Sequence, residues 1–339
     1  MTNDLLKSNN GNSTTEVAKR FVEHSHILSY AEARVNLGRD DVKDYRDQVN
    51  FLRDRLGKYI DEHSDYALIK MLGSGSVMKG TALKTINDMD VAVYIRPADD
   101  NADETQLLYW LKDRLREVYP TMKDDQFVPQ QHCVTVSFAG SGLDVDVVPV
   151  IYEDDKDDRG YLIVKDTGDR VLTSIPLHLE FLRKRKNAQP IHFAQVVRLV
   201  KWWVRKRKSE NESFRFKSFM VELLCAHLAD NGLDMSDYPL ALQNFFTYIV
   251  TSNLGKRIYF GDYYNQTVLP KSSVSVIEVF DPVNPENNVS AKYSETDRRQ
   301  IVEAAADALD ALTEAHYATT KGRAIALWQE VFGSTFREI

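Results

Sequence analysis

Two short stretches line up carboxylates by strand periodicity. Asp88-Met-Asp90 leads into Val91, Val93 and Ile95, and Asp144-Val-Asp146 lies within the run 143–150. In an extended chain, residues two apart share a face. Asp88 and Asp90 therefore point one way and Met89 and Val91 the other, and Asp144 and Asp146 repeat the arrangement against Val145 and Val147. Strands this apolar belong in a sheet core, where unpaired acids are costly and raise one another's pKa. A divalent cation removes that cost by binding the ionised forms. Hard oxygen donors of this kind suit Mg2+ or Mn2+. One pair alone reads as a solvated sheet face; two pairs on neighbouring strands read as a metal site. Mg2+ held by few carboxylates completes its shell with substrate phosphates. A second ion beside it activates an attacking hydroxyl and stabilises the leaving oxygen. The chemistry reached is phosphoryl or nucleotidyl transfer.

The elements around the acids agree with a phosphate substrate. The apolar run 67–72 ends in Gly73-Ser-Gly75-Ser76, and Gly80-Thr81 follows. Glycines allow close backbone approach, and N–H groups at a helix start favour phosphate. Alone, such a run is a plain turn. The spacing predicts helices over 16–28 and 40–63, the second with Val49, Leu52, Leu56 and Ile60 on one stripe that packs across the back of the following lobe. A helix over 104–118 and strands over 133–138 and 143–150 complete an α/β lobe at 65–175, with 153–160 as a solvated charged loop. From 176 to 339 the chain reads as a helical lobe, with helices over 192–206, 217–229 and 239–252 and a last helical region opened by the capping-box variant Ser294-x-x-Asp297. The expected organisation is a mobile tail at 1–15, N-terminal helices at 16–64 packing on the core, and two lobes with a ligand cleft between them.

Composition removes several alternatives. The chain has 339 residues, 43% hydrophobic and 27% charged, with 43 Lys+Arg against 50 Asp+Glu and a net charge of −7. That is an ordinary globular composition without the basic excess of a nucleic-acid coat. The two distant cysteines, Cys133 and Cys225, cannot build a zinc ribbon and read as reduced core thiols of a cytoplasmic protein. No apolar stretch is long enough for a membrane span, and the polar N-terminus has no signal core. The basic runs 183–186 and 205–208 read as solvated helix faces or ends. Trp202 and Trp203 read as helical core, His178 and His192 as structural or surface residues, and Tyr263 and Tyr264 as candidate stacking platforms for bases.

The run Gly75-Ser76-x-x-x-Gly80-Thr81, then Asp88-x-Asp90 and a later strand aspartate, resembles the polymerase-β nucleotidyltransferase superfamily, a mixed-sheet α/β lobe carrying a helical lobe. The resemblance selects Asp146 over Asp144 as the third acid, because Asp144-Val-Asp146-Val-Val-Pro149 fits the family's acid-x-Asp-x-x-Pro. Arg198-Leu-Val-Lys201-Trp-Trp and Phe216-Lys-Ser218-x-x-x-Glu222 resemble the helical core of oligoadenylate synthetases and their bacterial relatives, which implies that Lys201 and Ser218 hold a donor triphosphate. Asp281-Pro-Val-Asn284-Pro-Glu-Asn287-Asn288-Val resembles a late motif of the same group and puts Asn288 with the nucleotide-binding residues.

The sequence is most similar to the bacterial cGAS/DncV-like nucleotidyltransferases (CD-NTases), clade C. That resemblance implies a CBASS anti-phage signalling enzyme making a cyclic trinucleotide, cyclic triadenylate, from ATP and possible other nucleoside triphosphates with two Mg2+ or Mn2+ ions. It implies a HORMA-domain activator, an opposing AAA+ remodelling ATPase and an effector nuclease gated by the product. The zinc-binding DNA insertion of the animal sensor in this superfamily is excluded by the cysteine count, which argues against direct DNA sensing. In this scheme Asp88 and Asp90 hold the ion on the donor phosphates and Asp146 helps hold a second beside the acceptor hydroxyl. The competing readings are a linear nucleotidyltransferase that tails RNA or adenylates a small molecule, and a non-catalytic nucleotide-binding module.

Overall fold

Period-two and period-3.6 apolar patterns sort the chain into a mixed sheet and a helical lobe, each with its own core. The computed structural model describes residues 20–62, 65–85, 88–98, 103–271 and 274–337. The tail expected at 1–15 and the first residues of the 16–28 helix lie outside the described residues. The chain runs through α1 (His24–Tyr30), a π-helical turn (Ala31–Val35) and α2 (Arg39–Asp61), then β1 (Tyr66–Ser74), α3 (Gly75–Lys79), β2 (Asp88–Pro97) and α4 (Leu107–Val118). β3 (Phe127–Pro129), β4 (Val134–Phe138), β5 (Leu143–Tyr152), β6 (Gly160–Ile163) and β7 (Arg170–Thr173) complete the sheet. The helical lobe is α5 (Ile175–Ala188), α6 (His192–Glu210), α7 (Ser218–Asp230), α8 (Tyr238–Ser252), α9 (Glu295–His316) and α10 (Lys321–Phe332).

Among the described residues the strands follow the order β1-β2-β5-β4-β3, with β6 paired to β5 and β7 to β6. β2 and β5 are parallel, in a register that sets Asp88 opposite Asp144 and Asp90 opposite Asp146. Behind the acids, Met89, Val91, Val145 and Val147 are buried with the α2 stripe and with Leu107, Leu111 and Leu115 of α4. In front, the acid face turns apolar further along the strands, where Ala92, Tyr94 and Val150 form a separate small cluster. The site thus sits at one end of a face whose other end is core.

Three expectations change. Residues 16–64 do not form one layer on the α/β core. The stripe of α2 does pack there, but Ile27, Tyr30 and Val35 join the helical core. Tyr30 is the physical reason: its ring stacks on Phe332 at 5.6 Å, and its hydroxyl donates to the Phe332 carbonyl at 3.3 Å. The β6–β7 hairpin, with strands of four residues each, was not foreseen. The charged stretch 153–159 is pinned rather than free: Lys70 pairs with Asp158 and Arg96 with Asp154, and Ser174 donates to the Asp157 carbonyl at 2.7 Å. Asp154 and Asp158 adopt positive φ (59° and 55°), a conformation aspartate tolerates better than most residues.

Elsewhere the helical pattern reads through directly. The α9 cap is a closed box, Ser294 Oγ accepting from Asp297 N at 3.1 Å and Asp297 Oδ2 from Ser294 N at 2.7 Å. Trp203 is fully buried, and Trp202 packs against the helical core with its indole N–H on the Phe332 carbonyl at 3.2 Å. The basic run 183–186 is consumed locally: buried Arg185 forks onto Asp230 and Asp262, Lys184 reaches Asp262, and Lys186 donates to the Lys79 carbonyl at 3.0 Å. Among the described residues no helix is long and apolar enough to cross a membrane.

Candidate active site

The site is built around a turn that only glycine allows. Ser74, the last residue of β1, pairs with Asp90, and the chain then swings into α3 through Gly75 at φ +68°. A Cβ on Gly75 would lie 1.6 Å from Asp90 Oδ2, so the backbone of the turn and the carboxylate occupy adjoining space. Gly80 ends α3 in the left-handed conformation, and Thr81 N donates back to the Ser76 carbonyl at 2.9 Å. The helical lobe clamps this hairpin from outside, through Arg198 Nη1 on the Gly80 carbonyl at 2.7 Å.

Beneath it lies a buried ionic cluster. Glu222 of α7, 2% exposed, accepts from Lys79 at 2.9 Å, Thr81 Oγ1 at 2.7 Å and Lys201 at 2.6 Å. Burial alone would push its carboxyl up, but Lys79, Lys201 and the hydrogen bonds hold it at about 2. Lys201 also donates to the Thr81 hydroxyl at 3.0 Å and carbonyl at 3.3 Å, so its three ammonium hydrogens all have acceptors. Burial lowers its pKa, with Glu222 opposing.

The acids lie beside this cluster. Burial first, then Asp146 and Asp88, push the Asp90 carboxyl up to about 6. Asp88 is raised too, by burial and then by Asp146 and Asp144, against a backbone hydrogen bond that lowers it. Asp146 is oriented by Thr135, whose hydroxyl donates to Oδ1 at 2.6 Å. Burial, with Asp146 beside it, raises the Cys133 thiol to about 12, so it stays protonated. Among the described residues no three acid, histidine or cysteine side chains close into a ready-made ion cage. The acids form a row across two strands. The donor set nevertheless fits a hard divalent ion: it is all carboxylate, and its mutual repulsion is relieved by a cation.

Two cavities meet at this row. One, of about 450 Å³, is lined by Gly75, Ser76, Thr81, Asp88, Lys201 and Ser218, with Arg205 and Lys208 also in its wall. The other, of about 800 Å³, runs between β5–β7 and the helical lobe and is largely apolar. Gly75, Lys79, Asp90 and Phe219 border both. Ser218 opens α7, so the free N–H groups of that helix start reach the first cavity.

A family model described as the Second Messenger Oligonucleotide or Dinucleotide Synthetase domain (SMODS) matches residues 23–173. Over 321 residues the chain is 49% identical to the cyclic AMP-AMP-AMP synthase of Escherichia coli strain MS 115-1, covering 95% of this chain and 100% of the relative. It is 32% identical to the CBASS oligonucleotide cyclase CdnC of E. coli strain KTE188, covering 93% of this chain and 97% of that one. This chain belongs to the CdnC group of CBASS oligonucleotide cyclases. The solved structure of E. coli MS115-1 CdnC with ATP superposes with a TM-score of 0.85 at 48% identity, over 94% of this chain and 100% of the other. The same E. coli protein in a CdnC:HORMA-deltaN complex gives 0.84 at 48% identity, over 94% and 99%.

In this cyclase the residues singled out by sequence are distributed unevenly. Gly75, Ser76, Thr81, Asp88, Asp90, Lys201 and Ser218 gather at the smaller cavity. Gly80 closes the turn behind them, its would-be Cβ 3.1 Å from Lys186 Nζ. Asp146 joins Asp90 by strand register. Asn288 borders the larger cavity, where its Oδ1 accepts from Val279 N, Ser290 N and Ser290 Oγ and its Nδ2 donates to the Ile277 carbonyl. It folds the wall of the cavity, and its second amide hydrogen is not used by these bonds. Tyr264 is tied to the Asp281 carbonyl at 2.8 Å and Tyr263 carries Lys184 over its ring; neither lines these two cavities, whereas the ring of Phe219 borders both. His178, expected to be structural or surface, borders the larger cavity on a buried carboxylate. Arg205 and Lys208 are exposed, as expected of a solvated helix face, and also line the smaller cavity. Lys79 and Glu222 were missed; the signal was present as two charged residues inside the quoted motifs.

Gly75→Ala is expected to displace Asp90 and abolish turnover while leaving far-ultraviolet circular dichroism unchanged; wild-type rates would contradict the shared-space geometry. Glu222→Gln strands Lys79 and Lys201 without a counter-charge and is expected to lose roughly 3–5 kcal/mol in urea unfolding. Asp90 gives the opposite sign. Its folded pKa of about 6 lies above the ordinary aspartate value of 3.8, so the folded state holds more protons and metal-free stability falls as pH rises from 4 to 6. In EDTA, Asp90→Asn should therefore melt above wild type at pH 7.5 and alongside it near pH 4.

Proposed function

We propose that this cyclase joins ATP into a cyclic trinucleotide, cyclic triadenylate, using two divalent cations, Mg2+ or Mn2+, held by Asp88, Asp90 and Asp146. The observation that carries the reading is the in-register parallel pairing of Asp88/Asp90 with Asp144/Asp146, with Asp90 at the junction of two cavities. The E. coli relative named cyclic AMP-AMP-AMP synthase, also solved with ATP, supports it.

When bound, the ions neutralise phosphate charge and make the attacking hydroxyl more acidic. The protein residues do the positioning. The triphosphate of the donor lies in the smaller cavity against the Gly75-Ser76 turn and the start of α7 at Ser218, where N–H groups favour anions. Arg205 and Lys208 add positive charge, and Lys79 lies at the junction of both cavities. Lys201 supports the turn through Thr81 and Glu222, and contacts phosphate only by exchanging one of those bonds. The acceptor occupies the larger cavity, and Phe219 separates the two bases. The acceptor hydroxyl attacks the α-phosphate in line, the bond to the β-phosphate breaks and pyrophosphate leaves. Three such steps, the last intramolecular, close the ring. Holding the reactants in line provides most of the acceleration.

The relative solved with a HORMA protein supports a HORMA-domain activator here. A AAA+ remodelling ATPase opposing it, a nuclease effector gated by the product, and action in the cytoplasm complete the proposed system. The test is incubation of the purified protein with labelled nucleoside triphosphates and Mg2+, with and without the HORMA protein. A phosphatase-resistant product with the mass of cyclic triadenylate is expected, and none from the folded Asp88→Asn/Asp90→Asn variant. Phosphatase-sensitive chains would instead mean a linear transferase, and nucleotide binding without turnover a binding module.

A further inference from the structure

We propose that His178 is the adenine-selecting residue of this cyclase, accepting the exocyclic amino group of the base at Nδ1. The inference rests on the larger cavity receiving one nucleotide of the reaction above. That cavity, about 800 Å³, has room for a nucleotide and walls that include Val148, Leu162, Ile175 and Met220. Apolar walls accept any purine; discrimination needs a fixed polar group.

His178 is such a group. It stands on the first turn of α5 with its side chain only 12% exposed, and Nε2 lies 2.8 Å from Asp281 Oδ1. Asp281 is itself buried, at 4% exposure. Its Oδ1 also accepts from Val283 N at 2.8 Å and Asn284 N at 3.3 Å, and its Oδ2 from Asn287 Nδ2 at 3.2 Å. Burial would raise the Asp281 carboxyl, but His178 and these donors hold it below the usual carboxylate range. An ionised carboxylate only accepts. The proton between them therefore sits on Nε2, and in the tautomer that donates there Nδ1 is the acceptor. Among the described residues Nδ1 has no hydrogen-bond partner, and it is not one of the buried unsatisfied atoms, so it is open to the cavity. The ring is braced edge-on to Phe219 at 5.6 Å and 81°, and Phe219 borders both cavities. A base laid against Phe219 brings its edge to His178.

Adenine offers an amino donor at that edge, whereas guanine offers a carbonyl oxygen, which would face the Nδ1 lone pair. Of the neighbouring amides, Asn287 Nδ2 is engaged by Asp281 and Asn288 Oδ1 by backbone N–H groups, and His178 adds a ring nitrogen held in place by a buried carboxylate.

Isothermal titration of the full chain with ATP, GTP and purine ribonucleoside triphosphate, which lacks the amino group, tests this without turnover. The wild type is expected to bind ATP about tenfold or more tighter than either competitor, the loss of one such hydrogen bond. In His178→Leu the three should fall within about threefold of one another. If that variant does not fold, His178→Gln, whose amide both donates and accepts, should bring GTP within about threefold of ATP. Equal wild-type affinity for ATP and the purine analogue, or unchanged discrimination in a folded variant, overturns the assignment. Adenine discrimination without a cyclic product would sink the reading of the reaction and leave His178 standing. A cyclic product without discrimination would do the reverse.

Discussion

One buried carboxylate holds the two lobes in a single arrangement. Glu222 is supplied by α7, yet its acceptor oxygens serve Lys79 and Thr81 from the sheet lobe as well as Lys201 from α6. Taking a charge out of water costs several kcal/mol, and that cost is offset only because both oxygens are occupied at short distances. The cluster makes a loose interface unfavourable: separating the lobes would leave Lys201, 5% exposed, beside a carboxylate with too few donors. The position of α3 follows from it, and with α3 the conformation of Gly75, and with Gly75 the space left for Asp90.

The sheet provides the other half of the geometry. Parallel pairing of β2 and β5 brings acids from separate parts of the chain level with one another, and β4 adds Thr135 to hold Asp146. Because the side-chain period is two, a slip of one residue in either strand would send its two acids into the core and its valines to the cavity. The apolar back of both strands, packed on α2 and α4, excludes that register. Catalytic placement is thus enforced by residues that never touch substrate.

Much of this was legible in the sequence wherever the information is local. Alternation of acid and apolar residues put Asp88 with Asp90 and Asp144 with Asp146, and the glycine spacing marked the turn. What the chain could not reveal alone was pairing across distance. Glu222 reads as one charged residue in an apolar helix until Lys79 arrives from the other lobe. Ile27 and Tyr30 of α1 read as apolar residues without saying which core receives them; Phe332, at the far end of the chain, decides. Asn288 has the residue type of a ligand, but its bonds to backbone groups at 277–290 appear only once the wall of the cavity is folded. His178 looks like a stray histidine until Asp281 is placed against it. The strands of β6 and β7 are too short for periodicity to register.

The order in which these contacts become available has a consequence for synthesis. Parallel strands separated by a long connection pair late, because loop closure must precede the reward of the contact. β2 can acquire its partner acids only after β5 has left the ribosome. The turn at Gly75 finds Lys201 and Glu222 later still, since chains emerge N-terminus first. A truncated chain ending before α7 would carry every acid of the row, and Arg198 to hold Gly80, but not Glu222, the counter-charge of Lys79 and Lys201. Interrupted translation there leaves Lys79 and Lys201 without their shared carboxylate, so the centre can be finished only once α7 has emerged.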